Sequence, residues 1–316
     1  MSRNPLIERL NEGISDLLAD PEAMGVSGDD RLMGLLNIAR DLRELPRPDF
    51  KDRLKADLER NITMPQTNAP AVEFRPGFRT VTPYLVVANA DFVDFVKNVF
   101  GGVETHRTVT SPATFHAEVR IGDSMLMIAA GAERVNPAFL SVFVPDVDTQ
   151  YKRALDAGCR SLDAPRDSHG VRFAAVEDAV GNQWVMTRQL GSNFMKENFS
   201  TVAVGFTVSE ASRFVEFLKN AVNAEELHRV EWPGGFYAEV RIGSSVVTVS
   251  ETTNHEWMKP LPTMLYLYVP DADASYNRAL RAGAKSISPV ADQPYGDRQG
   301  GVQDAWGYQW FFATPL

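Results

Sequence analysis

The sequence predicts an α+β protein made of four strand–helix–strand–strand–strand units, grouped as two tandem modules behind a helical N-terminal extension. Three observations carry this. The first is an internal repeat. Phe95-Val96-Lys97-Asn98 returns as Phe217-Leu218-Lys219-Asn220, an offset of 217 − 95 = 122, and His106-Arg107 returns as His228-Arg229. Ala117-Glu118-Val119-Arg120-Ile121-Gly122 returns unchanged as Ala238 to Gly243, Val144-Pro145-Asp146 as Val269-Pro270-Asp271, and Asp178-Ala179 with Gly181, Gln183 and Trp184 as Asp304-Ala305 with Gly307, Gln309 and Trp310. The second is the switch of apolar spacing between period 2 and period 3.6 inside each copy. The third is length: 316 residues correspond to about two ordinary domains.

The elements follow in order. Residues 1–63 read as two or three short helices: Leu6, Leu10, Ile14, Leu17 and Leu18 share helical spacing, as do Leu32, Leu35, Leu36, Ala39 and Leu42, and Asp49 caps a third with Phe50, Leu54 and Leu58. Residues 64–77, rich in proline and without periodicity, read as a linker. The first module spans 78–190. It opens with a strand at Pro83–Val87 and a helix at Asp91–Phe100 closed by Gly101-Gly102. Strands follow at Val103–Val109, Phe115–Ile121 and Ser124–Ala129, the last two joined by the Gly122-Asp123 turn. The pattern then restarts with a strand at Phe139–Val144, a helix at Val147–Ala157, and strands at Arg172–Val176 and Gln183–Thr187. The second module, 198–316, repeats this order.

Composition narrows function. Hydrophobic residues make up 44% of the chain, enough for real cores. A net charge of −9 lacks the basic footprint of a nucleic-acid partner or an anionic membrane surface. No apolar run reaches the roughly 18 residues of a spanning helix, and the N-terminus carries charges where a signal peptide is apolar. One cysteine forms no internal disulfide. The expectation is a cytoplasmic protein.

The motifs Thr82-Pro83-Tyr84-Leu85, Val99-Phe100-Gly101-Gly102, His116 to Gly122, Tyr295-Gly296-Asp297-Arg298 and Asp304-Ala305-Trp306-Gly307-Tyr308-Gln309-Trp310 resemble the vicinal oxygen chelate superfamily (glyoxalase, bleomycin-resistance and dioxygenase proteins), and within it the PhnB-like branch. The resemblance spans roughly residues 78–316. It implies two glyoxalase-like modules, each with two βαβββ units forming a cupped sheet around a concave pocket, packed together as an internal pseudo-dimer. It also implies four ligand positions for a divalent metal. Carried onto this chain, these fall at Val81 or Thr82, Met127, Phe139 and Val185 in the first module. In the second they fall at Ala203 or Val204, Thr248, Met264 and Phe311. None is His, Asp, Glu or Cys, so neither a metal nor any other cofactor is expected.

Strand alternation sorts the remaining candidates. In the second module Tyr237, Glu239, Thr248, Met264, Tyr266, Tyr268 and Phe311, with Tyr295, form a tyrosine-rich candidate ligand surface. In the first, Pro83, Leu85, Met125, Met127, Phe139, Phe143 and Val185 read as a filled core. His116 and Glu118 share a strand face opposite Ala117 and Val119. Arg298, equivalent to Arg172, either anchors an anionic ligand or pairs with Asp304, as Arg172 would with Asp178. Cys159 matches Ala284 and reads as a small packing residue. The reading is a metal-free protein that binds a small hydrophobic or aromatic molecule for sequestration or sensing. Two alternatives stay open: an isomerase or lyase using a pocket His or Glu as general base, and a partner-binding protein acting through the N-terminal helices, which could also pair two copies of the chain.

Overall fold

A computed structural model describes residues 77–111, 114–191 and 193–316. The helices expected over 1–63, and the linker as far as residue 76, lie outside the described residues. Within the described residues the order is four βαβββ units. Unit 1 comprises β1 (Val81–Val87), α1 (Phe92–Phe100), β2 (Val103–Ser111), β3 (Thr114–Ile121) and β4 (Ser124–Ala130). Unit 2 comprises β5 (Phe139–Phe143), α2 (Val147–Asp156), β6 (Arg160–Ser168), β7 (Val171–Glu177) and β8 (Gln183–Gln189). Unit 3 comprises β9 (Val202–Val208), α3 (Ala211–Val222), β10 (Glu225–Trp232), β11 (Gly235–Ile242) and β12 (Ser245–Glu251). Unit 4 comprises β13 (Met264–Tyr268), α4 (Ala272–Arg281), β14 (Lys285–Asp292), β15 (Asp297–Gln303) and β16 (Gln309–Pro315). The strand after each second-half helix, β6 and β14, was not located by alternation. Both are mostly exposed, polar edge strands interrupted by proline (Pro165, Pro289).

Local chemistry explains the elements. The repeated Val-Pro-Asp supplies N-caps: Asp146 accepts from Thr149 N at 3.1 Å and Asp271 from Ala274 N at 2.9 Å. α1 ends in left-handed Gly101. One face of each strand packs on the helices. Leu85, Val96, Leu126, Ile128, Leu140, Trp184, Val204, Phe206, Leu265, Trp310 and Phe312 belong to this single core, each large side chain contributing about 1.5–3 kcal/mol by leaving water. Smaller clusters occupy the opposite, helix-free face: Met125, Met127, Tyr266 and Tyr268 in one sheet, Phe143, Phe199, Ala203 and Val246 in the other. The phase expected for the first strand was wrong by one residue. Leu85 is fully buried on the helix side, and Thr82 and Tyr84 take the helix-free face. The strand begins at Val81 rather than Pro83, an even shift that keeps Val81, Pro83 and Leu85 on one face; the face assigned to them, not the alternation, was wrong.

The expectation that each module closes its own sheet is overturned. One eight-stranded sheet runs β14-β15-β16-β13-β1-β4-β3-β2 and joins unit 4 to unit 1; the other runs β10-β11-β12-β9-β5-β8-β7-β6 and joins unit 3 to unit 2. The seams are antiparallel, Thr82 opposite Tyr266 and Ser141 opposite Ala203. The reason lies in the hairpins of units 1 and 3. Asp123 and Ser124 in the β3–β4 turn accept from Thr201 N (2.7 Å) and Val202 N (2.9 Å) at the entry to β9. Ser244 and Ser245 in the β11–β12 turn accept from Thr80 N (3.0 Å) and Val81 N (2.9 Å) at the entry to β1. Each module's hairpin thus holds the first strand of the other. The glycines heading these turns, Gly122 and Gly243, have φ of +57°, and a Cβ on either would lie 2.2 Å from the hydroxyl oxygen of Thr201 or Thr80.

Gly243→Ala should therefore cost about 2–4 kcal/mol, combining the left-handed strain with the clash against Thr80. Urea unfolding measures it, and a cost under about 0.5 kcal/mol would show that the grip adapts. A fragment of residues 78–190 carries units 1 and 2 with the seam edges of β1 and β5 left open. Because β13 is the repeat copy of β5, two fragments can form the β1–β5 seam twice. Sedimentation should show a dimer, and a stable monomer would contradict the seam assignment.

Candidate functional site

The helix-free faces of the two sheets carry different chemistry. In the sheet of units 1 and 4, β1 contributes Tyr84, β3 contributes His116 and Glu118, β4 contributes Met127, β13 contributes Tyr266 and β16 contributes Phe311. Tyr84 Oη lies 3.4 Å from His116 Nδ1, and their rings stack with centroids 5.7 Å apart. His116 Nε2 lies 3.9 Å from the buried carboxylate of Glu118, and the His116 side chain is 30% exposed. Across the seam the Tyr266 hydroxyl donates to Asp297 Oδ2 at 2.5 Å and faces Gln299 Oε1 at 3.2 Å. Burial, then Asp297, pushes the Tyr266 hydroxyl far above the usual phenol range, so it stays a donor. Burial likewise raises Tyr84. Tyr295, 63% exposed, donates to Gln299 from the rim. This face is apolar at Met127 and Phe311, with hydroxyl, imidazole, carboxylate and amide groups set among them.

The sheet of units 2 and 3 is covered by its own chain. Phe199, from the β8–β9 connection, meets the Phe143 ring edge-on at 5.4 Å. Lys196 from the same connection pairs with the buried Glu239, which also accepts from Tyr237 Oη at 3.0 Å. Burial and Glu239 drive the Tyr237 hydroxyl strongly upward. From the β12–β13 connection Trp257 lies parallel to Phe139, and His255 stacks on Trp257 at 5.4 Å. Phe139 in turn rests on Gly205, where any Cβ would meet its ring at 2.1 Å.

The sequence-predicted residues are therefore divided by sheet, not by module. Met264, Tyr266, Tyr268, Tyr295 and Phe311 come together with His116 and Glu118; Tyr237, Glu239 and Thr248 sit in the other sheet beside Phe139 and Val185. The tyrosine-rich surface expected of the second module is thus split between two sheets on the helix-free side. Arg298 is not on this face: it binds Asp273 of α4 and Asp292. Its twin Arg172 binds Asp148 and Asp167. Asp178 and Asp304, the partners considered for them, instead hold the β7–β8 and β15–β16 turns. Asp304 accepts from Trp306 N, Tyr308 N and Trp310 Nε1 at 2.9, 3.0 and 2.8 Å, and Asp178 does the same with Trp184 Nε1. His106 and His228 are exposed on edge strands. Cys159 is buried, its thiol pushed up to about 12, and no nucleophile role fits it. Tyr84, Asp297, Gln299, Lys196 and Trp257 were missed. Tyr84 was lost to the one-residue phase error, and the last two lie on connections without periodicity.

The metal implied by the fold was tested on the donor set. Around the first seam the carried-over positions present a hydroxyl, two thioethers and a phenyl ring (Thr82, Met127, Met264, Phe311). Around the second they present a phenyl ring, two aliphatic side chains and a hydroxyl (Phe139, Val185, Ala203, Thr248). These do not hold a hard or borderline divalent ion. Among the described residues no group of three or more His, Cys, Asp and Glu is placed to hold one. Nor, among them, is any helix long and apolar enough to cross a membrane.

No family model matches the sequence. The chain is 33% identical over 120 residues to Mb0911c of Mycobacterium bovis, an alignment covering 34% of this chain and 79% of that protein. It is equally identical to Rv0887c of Mycobacterium tuberculosis, over 71% of its length. Both are uncharacterized proteins. Among solved structures, glyoxalase I from Zea mays superposes with a TM-score of 0.59 at 12% identity, over 75% of this chain and 92% of that one. At that identity the likeness concerns the fold alone.

The buried Asp304 generates a pH prediction. Burial lifts it to about 6 against 3.8 for the free side chain. The folded state then binds its proton more tightly than the unfolded chain. This contribution is fully present below about pH 4 and lost as pH rises through 6, up to about 3 kcal/mol. The stability difference between wild type and Asp304→Asn should move against wild type by that amount between pH 4 and 7. A difference that stays flat in urea titrations across this range would show that Asp304 does not titrate there.

Proposed function

The chain belongs by sequence to the family of the mycobacterial proteins Mb0911c and Rv0887c and shares the fold of glyoxalase I, and from that premise we propose that it is a member of the vicinal oxygen chelate superfamily that binds a small hydrophobic or aromatic molecule non-covalently, for sequestration or sensing. The site is the helix-free face of the sheet built by units 1 and 4. One observation carries the reading: Tyr84, His116, Glu118, Tyr266 and Gln299 gather around Met127 and Phe311, while the matching face of the other sheet is covered by Phe199, Lys196 and Trp257. Apolar walls supply affinity, and the few polar groups fix orientation. The residue types at the carried-over ligand positions (Thr82, Met127, Met264 and Phe311 around this seam) support the same reading, since they offer no donor set for a divalent metal.

A second reading rests on the Glu118–His116 pair. A buried carboxylate beside an imidazole, open to the ligand face, suits proton abstraction by an isomerase or lyase. The test begins with a thermal-shift screen of aromatic and heteroaromatic compounds, followed by calorimetric titration of a hit. Tyr266→Ala or His116→Ala should weaken binding by about 1–3 kcal/mol, the scale of a lost anchor. Tyr237→Ala, in the other sheet, should change it by less than about 0.5 kcal/mol. A larger loss from Tyr237→Ala would move the site to the covered face. Recovery of a chemically altered hit, with turnover lost in Glu118→Gln, would favour the enzyme.

A further inference from the structure

A cavity of about 410 Å³ lies at the ends of α3 and α4, among residues of the helix-side core, and reaches Tyr268 at the end of β13. Its walls include Val222 at the end of α3, Ile242, Leu267 and Val269, with Ser275 and Arg278 of α4. The repeat explains why it is there. In the equivalent place between α1 and α2, Phe100 stacks on Trp184 with centroids 4.4 Å apart, and Gln150 donates its amide to Val99 O. Phe100 corresponds to Val222 (offset 122) and Gln150 to Ser275 (offset 125). Two large side chains have become small ones on one side of the pseudo-twofold only.

Arg278 has moved into part of the space. Its equivalent Arg153 is exposed, whereas Arg278 is half-buried. Its Nε donates to Ala221 O at 3.2 Å, replacing the bond Gln150 makes in the other pair, and its Nη2 donates to Ser275 Oγ at 3.1 Å. Among the described residues no carboxylate pairs with it, unlike Arg172 and Arg298, which each hold two. Among the described residues Arg278 is the one charged side chain lining the cavity. The terminal edge of its guanidinium, Nη1 with the second hydrogen of Nη2, is left to bind a planar anion, and Ser275 Oγ keeps a proton to donate. A half-buried cation without a counterion favours an anionic ligand. The volume lies within the range of small-molecule sites.

We propose that this cavity is a second ligand site, taking a small organic carboxylate with a short apolar body. The carboxylate binds end-on to Arg278 and Ser275, and the body lies against Val222, Ile242, Leu267 and Val269.

The test titrates the full-length protein with 4-phenylbutyrate, its neutral analogue 4-phenylbutanamide, and phenyl phosphate. The carboxylate should bind, the amide at least about tenfold more weakly, as expected for loss of a charge-assisted contact. Arg278→Met should weaken the carboxylate about tenfold or more. Ser275→Gln, which restores the filler of the other helix pair, should abolish binding while keeping the thermal midpoint at or above that of wild type. His116→Ala should leave this binding unchanged, which separates its failure from failure of the site on the helix-free face. Equal binding of acid and amide, retained binding in Ser275→Gln, or binding of none of the three probes would overturn the proposal. Tighter binding of phenyl phosphate than of the carboxylate would also overturn it, as to ligand class.

Discussion

The structure depends on a crossed grip. Backbone amides at the entries of β1 and β9 would otherwise be left without partners, a costly condition for strand starts packed between sheets. Each is satisfied by the hairpin of the opposite module, through Ser244 and Ser245 on one side and Asp123 and Ser124 on the other. Once the first strands are held there, they must pair along the seam with β13 and β5, and the sheet membership of every later strand follows. The left-handed glycines of these turns permit the approach. A crowded backbone position of two residues thus decides which halves share a sheet.

From that pairing comes the contrast between the two helix-free faces. Equivalent strands of the repeat line both, yet one face keeps a partly exposed imidazole (His116) and a rim hydroxyl (Tyr295) above a buried carboxylate, and the other is covered by its own connections. On the covered face Lys196 neutralises Glu239 and Phe199 fills the place beside Phe143. In the first sheet Phe78 meets Tyr268 edge-on in the same manner, so the aromatic bolt at the seam is common to both. What differs is the chemistry farther along the strands, His116 on one face and Tyr237 on the other.

Much of this was legible in the sequence. The repeat offsets located most of the helices and strands, since apolar spacing, Val-Pro-Asp caps and glycine stops act locally. The faces of β3, β11 and β13 followed from alternation, as His116, Glu118, Tyr237 and Tyr266 show. The pairing of units was not legible, because in a symmetric repeat β1 could pair equally well with β5 or with its copy β13. Nothing in local pattern separates the two; the choice is made by tertiary hydrogen bonds from turns 78 and 164 residues away. The partners of Arg172 and Arg298 failed for a related reason. Several acids lie near each in the chain, and which one is reached depends on helix packing.

The crossed pairing also has a genetic consequence. Corresponding codons of the two repeats specify residues in different sheets, so copying sequence from one repeat to the other would not restore a damaged face. It would turn one face into the other: His116 into tyrosine, or Ser275 into glutamine. The helix-free face that keeps His116 is encoded by the first and last units of the described region, Val81–Ala130 and Met264–Pro315, with the other sheet encoded between them. A deletion or recombination that removed either module would leave neither helix-free face whole. The chain can therefore hold two unlike faces only while both repeats are inherited together and kept distinct.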